Sequence, residues 1–513
     1  MISKIDSEMK NNKKPHLTRE SILEYFNMID YLFFKGYFDE TKSIWSLITE
    51  ESIIKHNLSN YYQFYQIREN LNIKNIEKSK EFLASEYDFI SNKMSNDSIL
   101  SIFRYEVKFY EGFGQDFFHE FTRNASIIPY NDNYPMEAKI HFLTMGAIII
   151  LKAGGNPYSA LQYAQLASSL SNKLINKDYW YAWTSSIEAK AAFFIGDLKF
   201  SYFKAQNSMD IFSSTQTGDY LGKQTTLEVL SQIAELQGNF DEAVNFSMYG
   251  LQKTNKMDTI IRLIDLYFQI GNLDQVHKWI YEGKVELINS HKVMSTRLKI
   301  RELQLLLEED GRKLAEDQLK LILDQKNIDN YLKTKCLRLL CNIRASIKDY
   351  EKSRKWGIEA YAIAKLENNP LEILKSLILL LNITLQQTIE ENLHQDKDIE
   401  KWLSKAFLLA SKRNARLFLI ELEMYDVFHK ILFNKFETSL KEKLIVIQNQ
   451  CIAIHWFRGE LLVTKLISLI ELDLLDKLQK EKDINEEKDS NVTSKDALDY
   501  LNELKNLSKG IKF

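Results

Sequence analysis

The sequence predicts an all-α fold, an α-solenoid of stacked helical hairpins, and three observations carry that prediction. A short phrase recurs: a small or turn-forming residue, an aromatic or apolar one, then acidic residues and a small one. Its clearest copy is Gly238-Asn239-Phe240-Asp241-Glu242-Ala243. Others are Gly36-Tyr37-Phe38-Asp39-Glu40-Thr41, Gly155-Asn156-Pro157-Tyr158-Ser159-Ala160, Gly196-Asp197-Leu198, Gly271-Asn272-Leu273-Asp274 and Lys348-Asp349-Tyr350-Glu351. Gly155, Gly196, Gly238, Gly271 and Gly311 follow one another at intervals of 41, 42, 33 and 40 residues, the period of a helical repeat array. Only 5 prolines and 17 glycines interrupt 513 residues rich in helix formers, and alternating strand patterns between turn dipeptides do not occur. A single compact core rarely grows beyond roughly 250–300 residues, whereas a solenoid packs each unit only on its neighbours.

Residues 1–17 read as a disordered polar tail. Thr18 caps the first helix and Leu17 serves as its hydrophobic staple. Ile22, Tyr25, Phe26, Ile29, Leu32 and Phe33 then recur three and four apart and form one apolar stripe. Gly36 closes that helix, because glycine takes the left-handed conformation without steric cost. Asp39 and Glu40 sit in the first turn of the next helix, at the positive end of its dipole, and Ile44, Trp45 and Ile48 face back on the first. Divergent repeats fill 18–135, with weak signals from Asn60 to Ile90 and a clear loop at Asn131-Asp132-Asn133-Tyr134-Pro135.

The array is most regular over 136–370. Helices pair as 137–152 with 157–172, 178–194 with 198–213, and 223–236 with 241–253. Pairs at 257–269 with 273–286, 294–308 with 312–325, and 329–346 with 350–366 follow. Divergent repeats occupy 371–478, with helices at 371–388, 397–412, 414–432, 436–450 and 452–478. A charged linker and a terminal helix, opened by the capping box Thr493-Ser494-Lys495-Asp496, span 479–513.

The Gly-Asn-Phe-Asp-Glu-Ala turn resembles the interhelical turn of tetratricopeptide repeats. Leu227, Leu230 and Ala234 before Gly238, Leu263, Ile264 and Tyr267 before Gly271, and Ala160, Ala164 and Ala167 after Gly155 support it. The resemblance covers roughly 20–478. The family's usual repeat is about 34 residues, so the longer intervals here look similar to the superhelical sensor regions of maltose-regulator-type activators. The resemblance implies a right-handed superhelix whose first helix of each pair lines a concave binding surface. Aligned on the turn glycines, Phe142, Met145, Trp183, Lys190, Glu228, Gln232, Asp265 and Phe268 are the candidate partner-binding residues. Their mixed chemistry suits an extended peptide or a small polar ligand better than a polyanion.

Composition narrows the function classes. A formal charge of −3 from 67 basic and 70 acidic residues provides no global field for nucleic acid. The apolar runs Met145–Leu151 and Leu377–Leu381 fall far short of the ~18 residues a membrane span needs. Three cysteines build no disulfide framework, and Met1 to Lys14 lacks the apolar stretch of a signal peptide, so a cytoplasmic setting is expected.

Catalytic motifs fare poorly. Gly154-Gly155 lacks the Lys-Ser/Thr of a phosphate loop, and His-Glu-x-x-His does not occur. Cys336 and Cys341, five apart on a helix, point to different faces and read as core. His119-Glu120 and His455 with Arg458 and Glu460 read as helix-surface polarity, and Tyr179-Trp180-Tyr181 with Trp183 as packing or, for Trp183, a groove anchor. No cofactor or metal is expected. The expectation is a non-catalytic scaffold or adaptor binding a protein or peptide in its groove. A ligand- or peptide-responsive sensor with a small-molecule effector is the alternative, and an enzyme the remote one.

Overall fold

A computed structural model describes residues 17–35, 38–70, 103, 121–132, 134–215, 221–251, 256–287, 292–325, 328–391, 397–432, 438–457, 459–464 and 467. The expected tail up to residue 16, the Gly36-Tyr37 turn, most of the weak repeats between 71 and 120 with His119-Glu120, Arg458, and the linker and helix at 479–513 lie outside them. Every regular element among the described residues is helical.

Four helices open the chain: α1 (Arg19–Lys35), α2 (Phe38–Trp45), α3 (Glu50–Lys55) and α4 (Ser59–Asn70). Thr18 caps α1 as expected, accepting from the Ser21 amide at 3.3 Å. The short α3 was not anticipated, although Thr49 caps it by accepting from the Ser52 amide. Eight hairpins follow among the described residues. They are α5 (Met136–Lys152) with α6 (Pro157–Ser171), α7 (Lys177–Ile195) with α8 (Leu198–Ser214), and α9 (Leu221–Leu236) with α10 (Phe240–Leu251). Next come α11 (Lys256–Ile270) with α12 (Leu273–Glu286), α13 (Lys292–Glu308) with α14 (Arg312–Leu323), and α15 (Asn330–Ser346) with α16 (Tyr350–Leu366). The last are α17 (Pro370–Glu391) with α18 (Lys397–Arg413), and α19 (Arg416–Leu432) with α20 (Thr438–Ala453). This is an all-α array of stacked helical hairpins.

Local chemistry sets the hairpin turns. Gly154, Gly196, Gly238 and Gly271 take φ of 76°, 97°, 82° and 79°, the left-handed geometry that ends a helix. The first turn therefore bends at Gly154 rather than Gly155. Gly311 is also displaced from expectation: it adopts φ −78° as the residue before α14, and Asp310 (φ 67°) bends the chain instead. Lys348 (φ 64°) does the same for α15 and α16. Asn156, Asp197, Asn272 and Asp349 then cap the second helix of each pair through their side-chain oxygens. Pro370, expected before the helix, is the first residue of α17, where its missing N–H costs nothing. At the far end α20 continues to Ala453, and the break falls at His455 (φ 55°) rather than ahead of residue 452.

A repeated small-residue contact joins the two helices of a hairpin. Ser201 Oγ donates to the Ala189 carbonyl at 2.7 Å, Ser231 Oγ to Ala243 at 2.8 Å, and Ser353 Oγ to Cys341 at 2.8 Å. Each pair brackets its turn, seven residues before the left-handed position and five after. Small side chains there let the backbones approach until a hydroxyl reaches the facing carbonyl. Cys341 is thus a packing residue at this crossing, and Cys336 is buried in a different cluster on the other side of α15.

Odd-numbered helices touch one another in series, α5 to α7, α7 to α9 and onward to α19, and so form the inner layer. The curvature brings distant repeats together: α7 touches α17, and α9 touches α19. One apolar cluster joins Ala234, Phe240 and Leu266 to Leu374, Leu417 and Trp456, and another joins Phe193 and Leu230 to Leu371 and Ala415. The concave face is consequently closed along a seam. Gly196 sits on that seam, where an added Cβ would lie 2.1 Å from Arg413 Nε. Gly196→Ala should destabilise the protein by at least ~1–2 kcal/mol in urea unfolding, from the left-handed backbone alone. An unchanged midpoint would contradict the turn and the seam together.

Candidate ligand-binding cavity

The inner face lines a partly open cavity of about 380 Å³. Its walls are charged because residues nine or ten positions ahead of each turn line it from successive inner helices: Glu228, Arg262, Arg301 and Arg338. Such charges are tolerated away from bulk water only when paired. Lys190 of α7 meets Glu228 of α9 at 2.6 Å, and Glu235 of α9 meets Arg262 of α11 at 2.6 Å. Asp265 of α11 takes Arg301 of α13 at 2.7 Å and Lys335 of α15 at 3.1 Å. Glu372 of α17 takes Arg338 at 2.6 Å and Lys375 at 3.2 Å. Asp258 bridges Lys152 at 2.7 Å and Arg297 at 3.5 Å. The result is a ladder of ion pairs that runs from one inner helix to the next.

Burial alone would push these carboxylates up, but their partners outweigh it. Lys152 and Arg297 bring Asp258 down to about 2, and Arg338 and Lys375 bring Glu372 down to about 2. Arg301 and Lys335 hold Asp265 well below the usual carboxylate range. Burial, then the neighbouring Arg301, lowers Lys335. Arg301, fully buried, also donates to the Tyr331 hydroxyl at 2.9 Å and to the Arg297 carbonyl at 3.2 Å.

Of the residues singled out in the sequence, Lys190, Glu228, Gln232, Asp265 and Phe268 line this cavity. Phe142, Met145 and Trp183 do not. They lie on the inner helices but are buried in the aromatic core, where α1 and α4 pack on Trp180 and His141 beside Trp183, and Phe121 packs on α5 at Phe142 and Gly146. Trp180 Nε1 donates to Asp30 of α1 at 2.9 Å, and the same carboxyl accepts from Arg68 of α4 at 2.7 Å. Trp183 packs 5.6 Å from Trp180 and 5.5 Å from His141, and Phe142 4.9 Å from Phe121. Trp183 as a groove anchor is therefore corrected to a core residue. Sequence reasoning missed Lys152, Asp258, Arg297, Arg301, Lys335, Arg338, Glu372 and Lys375, whose common signal is a charge recurring inside apolar helices at the repeat interval.

A second, more open cleft of about 970 Å³ lies along the seam, lined by Tyr158, Lys199, Tyr202, Phe246, Lys412 and Arg413 among others. Arg413 Nη2 donates to the Ile195 carbonyl at 2.9 Å, and Nη1 to the Leu409 carbonyl, so one guanidinium caps the ends of both α7 and α18. Burial brings its pKa down to about 10. No helix among the described residues is long and apolar enough to cross a membrane, and no group of metal-ligating side chains occurs among them.

Asp265→Asn should cost about 3–5 kcal/mol in urea unfolding, because it leaves the buried Arg301 with no anion. A loss below about 0.5 kcal/mol would show that the ladder does not hold the inner helices. The depressed carboxylates also fix the direction of acid sensitivity. In the unfolded chain they bind protons more readily, so their contribution is complete above about pH 4.5 and is lost toward pH 2. Glu372→Gln should flatten that acid limb in a melting-temperature profile, and an unaltered limb would contradict the pairing.

No protein-family model matches the chain, and no curated protein matches it. Among solved structures, a Rap protein complexed with competence and sporulation factor is 12% identical over 72% of this chain and 98% of its own, at a TM-score of 0.44. The apo form of RapI gives the same identity and coverage at a TM-score of 0.32.

Proposed function

We propose that the chain is a non-catalytic, ligand-responsive binding module whose effector, a small molecule or the end of a peptide, occupies the inner cavity. The observation that carries this reading is the closure of the concave face around a charge-lined space of about 380 Å³. That volume is near the lower end of small-molecule sites, roughly 300–1,000 Å³. Seven inner helices contribute to one ladder, so an occupant that redistributes its ion pairs changes the spacing of several repeats together. Seam contacts between α7 and α17 and between α9 and α19 then transmit that change to the outer surface.

A non-catalytic role accords with the state of the cavity carboxylates. Asp258 and Glu372, at about 2, carry no proton to donate near neutral pH and are poor bases while clamped by two cations each. Three cysteines buried apart from the surface suit a reducing cytoplasm, where we place the protein.

A second reading, a scaffold that holds a protein or peptide partner, is favoured by the open seam cleft with its exposed aromatic rings. Tyr202 is 50% and Tyr158 41% exposed there, the residue type that dominates binding hot spots. One screen separates the two. Peptides and metabolites that raise the melting temperature are retested on Gln232→Trp, which fills the cavity, and on Tyr202→Ala, which strips the cleft. At a hundredfold excess over Kd a true ligand adds ~2.7 kcal/mol of stability. Loss of the shift in Gln232→Trp alone is the expected result, and loss in Tyr202→Ala alone would transfer the function to the cleft.

A further inference from the structure

We propose that the occupant of the inner cavity is a small oligoanion, a molecule bearing two or more carboxylate or phosphate groups, gripped by Arg297, Arg338 and Lys375. This rests on the cavity being the ligand site.

Charge balance points to it first. Eight cations face five carboxylates in the lining. Glu228 and Glu235 are matched one to one, by Lys190 and Arg262. Asp258, Asp265 and Glu372 are each shared by two cations, which leaves a surplus of three in the lining, and Asp329, buried beside Arg297 just outside it, offsets one of them. The end of α5 offsets part of it, since Arg297 Nη2 donates to the Lys152 carbonyl at 2.7 Å. A helix end supplies only about half a charge. Net positive charge withdrawn from water is costly unless an anion joins it.

Unused hydrogen-bond donors point the same way. Arg297 is only 7% exposed, yet its Nε has no partner among the described residues, and neither has the buried Nη1 of Arg338. Buried guanidinium N–H groups are normally satisfied. Each of these two arginines is anchored through another nitrogen, Arg297 to Asp258 and Arg338 to Glu372, so its guanidinium is held at the cavity wall before any ligand arrives. Neither nitrogen has open surface as the side chains stand, so a small rotation must turn it toward the cavity both guanidiniums line, where carboxylate and phosphate oxygens are the natural acceptors. Lys375, paired with Glu372 and 40% exposed at its side chain, stands at the edge of the cavity, where an entering anion would meet it.

The probes are citrate and pyrophosphate, with acetate at equal ionic strength as the control, titrated calorimetrically into the full chain and followed by thermal melting. Saturable binding of citrate or pyrophosphate but not acetate is expected, and which of the two binds distinguishes a polycarboxylate from a phosphate-bearing ligand. Arg297→Gln and Lys375→Gln should each weaken binding about tenfold or more, the scale of a lost charge-assisted hydrogen bond. Lys320→Gln, on α14 outside the cavity lining, should leave it unchanged. If Arg297→Gln fails to fold, Lys375→Gln decides alone. Binding of neither anion, or binding that survives both cavity substitutions, overturns the proposal. Should an uncharged ligand bind and be displaced by Gln232→Trp while both anions fail, the oligoanion falls and the cavity reading stands.

Discussion

The last turn of every helix leaves carbonyls without internal donors, and the way this protein satisfies them governs its shape. Inner helices end at left-handed turns, and the chain meets those turns again several repeats later. Tyr331 N donates to the Ala153 carbonyl at 3.0 Å, and Arg297 to Lys152. Arg413 donates to the Ile195 carbonyl and Gln237 Nε2 to the Asn414 carbonyl at 3.0 Å, while Trp456 Nε1 reaches the side-chain Oε1 of Gln269 near the end of α11 at 3.3 Å. Ile454 packs on Gly238 and Phe457 on Gly271. Each hydrogen bond is worth only about 1 kcal/mol net. Buried side chains such as Leu371, Leu374 and Leu417 contribute about 1.5–3 kcal/mol apiece. Apolar burial therefore holds the seam, and the hydrogen bonds fix where it forms.

Closure has an electrostatic consequence. An open concave surface would leave its charges in water, where a pair is worth little. Folded over, the same residues become a partly desolvated ladder in which each carboxylate registers two or three helices. Asp265 ties α11 to α13 and α15, and Asp258 ties α11 to α5 and α13. The arrangement couples non-adjacent repeats, so a disturbance at one rung reaches others without travelling through the hairpin cores.

The hairpins were legible because turn chemistry and helix periodicity agree locally. Gly196, Gly238 and Gly271 mark their turns, and Ala160, Ala164 and Ala167 mark a close helix approach. Where the left-handed residue is not glycine, position slipped, by one residue at Asp310 beside Gly311 and by several at His455, since an L-residue with positive φ leaves little compositional trace. The inner face was legible as a face, which brought Lys190, Glu228, Gln232, Asp265 and Phe268 into the candidate set. Trp183 was misplaced because the α1 and α4 residues that bury its surroundings lie more than a hundred residues away, and Phe142 because Phe121, in a segment of weak pattern, packs on it; periodicity reports neither. The cation surplus was hidden for a related reason: the whole chain is nearly neutral, and only closure gathers Arg297, Arg338 and Lys375 into one space.

The seam is best tested by a distance. Spin labels at Lys199 and Lys412, exposed residues on opposite banks of the cleft, can be placed selectively because Cys336, Cys341 and Cys451 are buried and their thiols pushed up to about 12. Dipolar spectroscopy should return one short, narrow distance distribution in the free protein. A long or broad distribution would mean that the concave face lies open in solution, and the cavity with it would be lost.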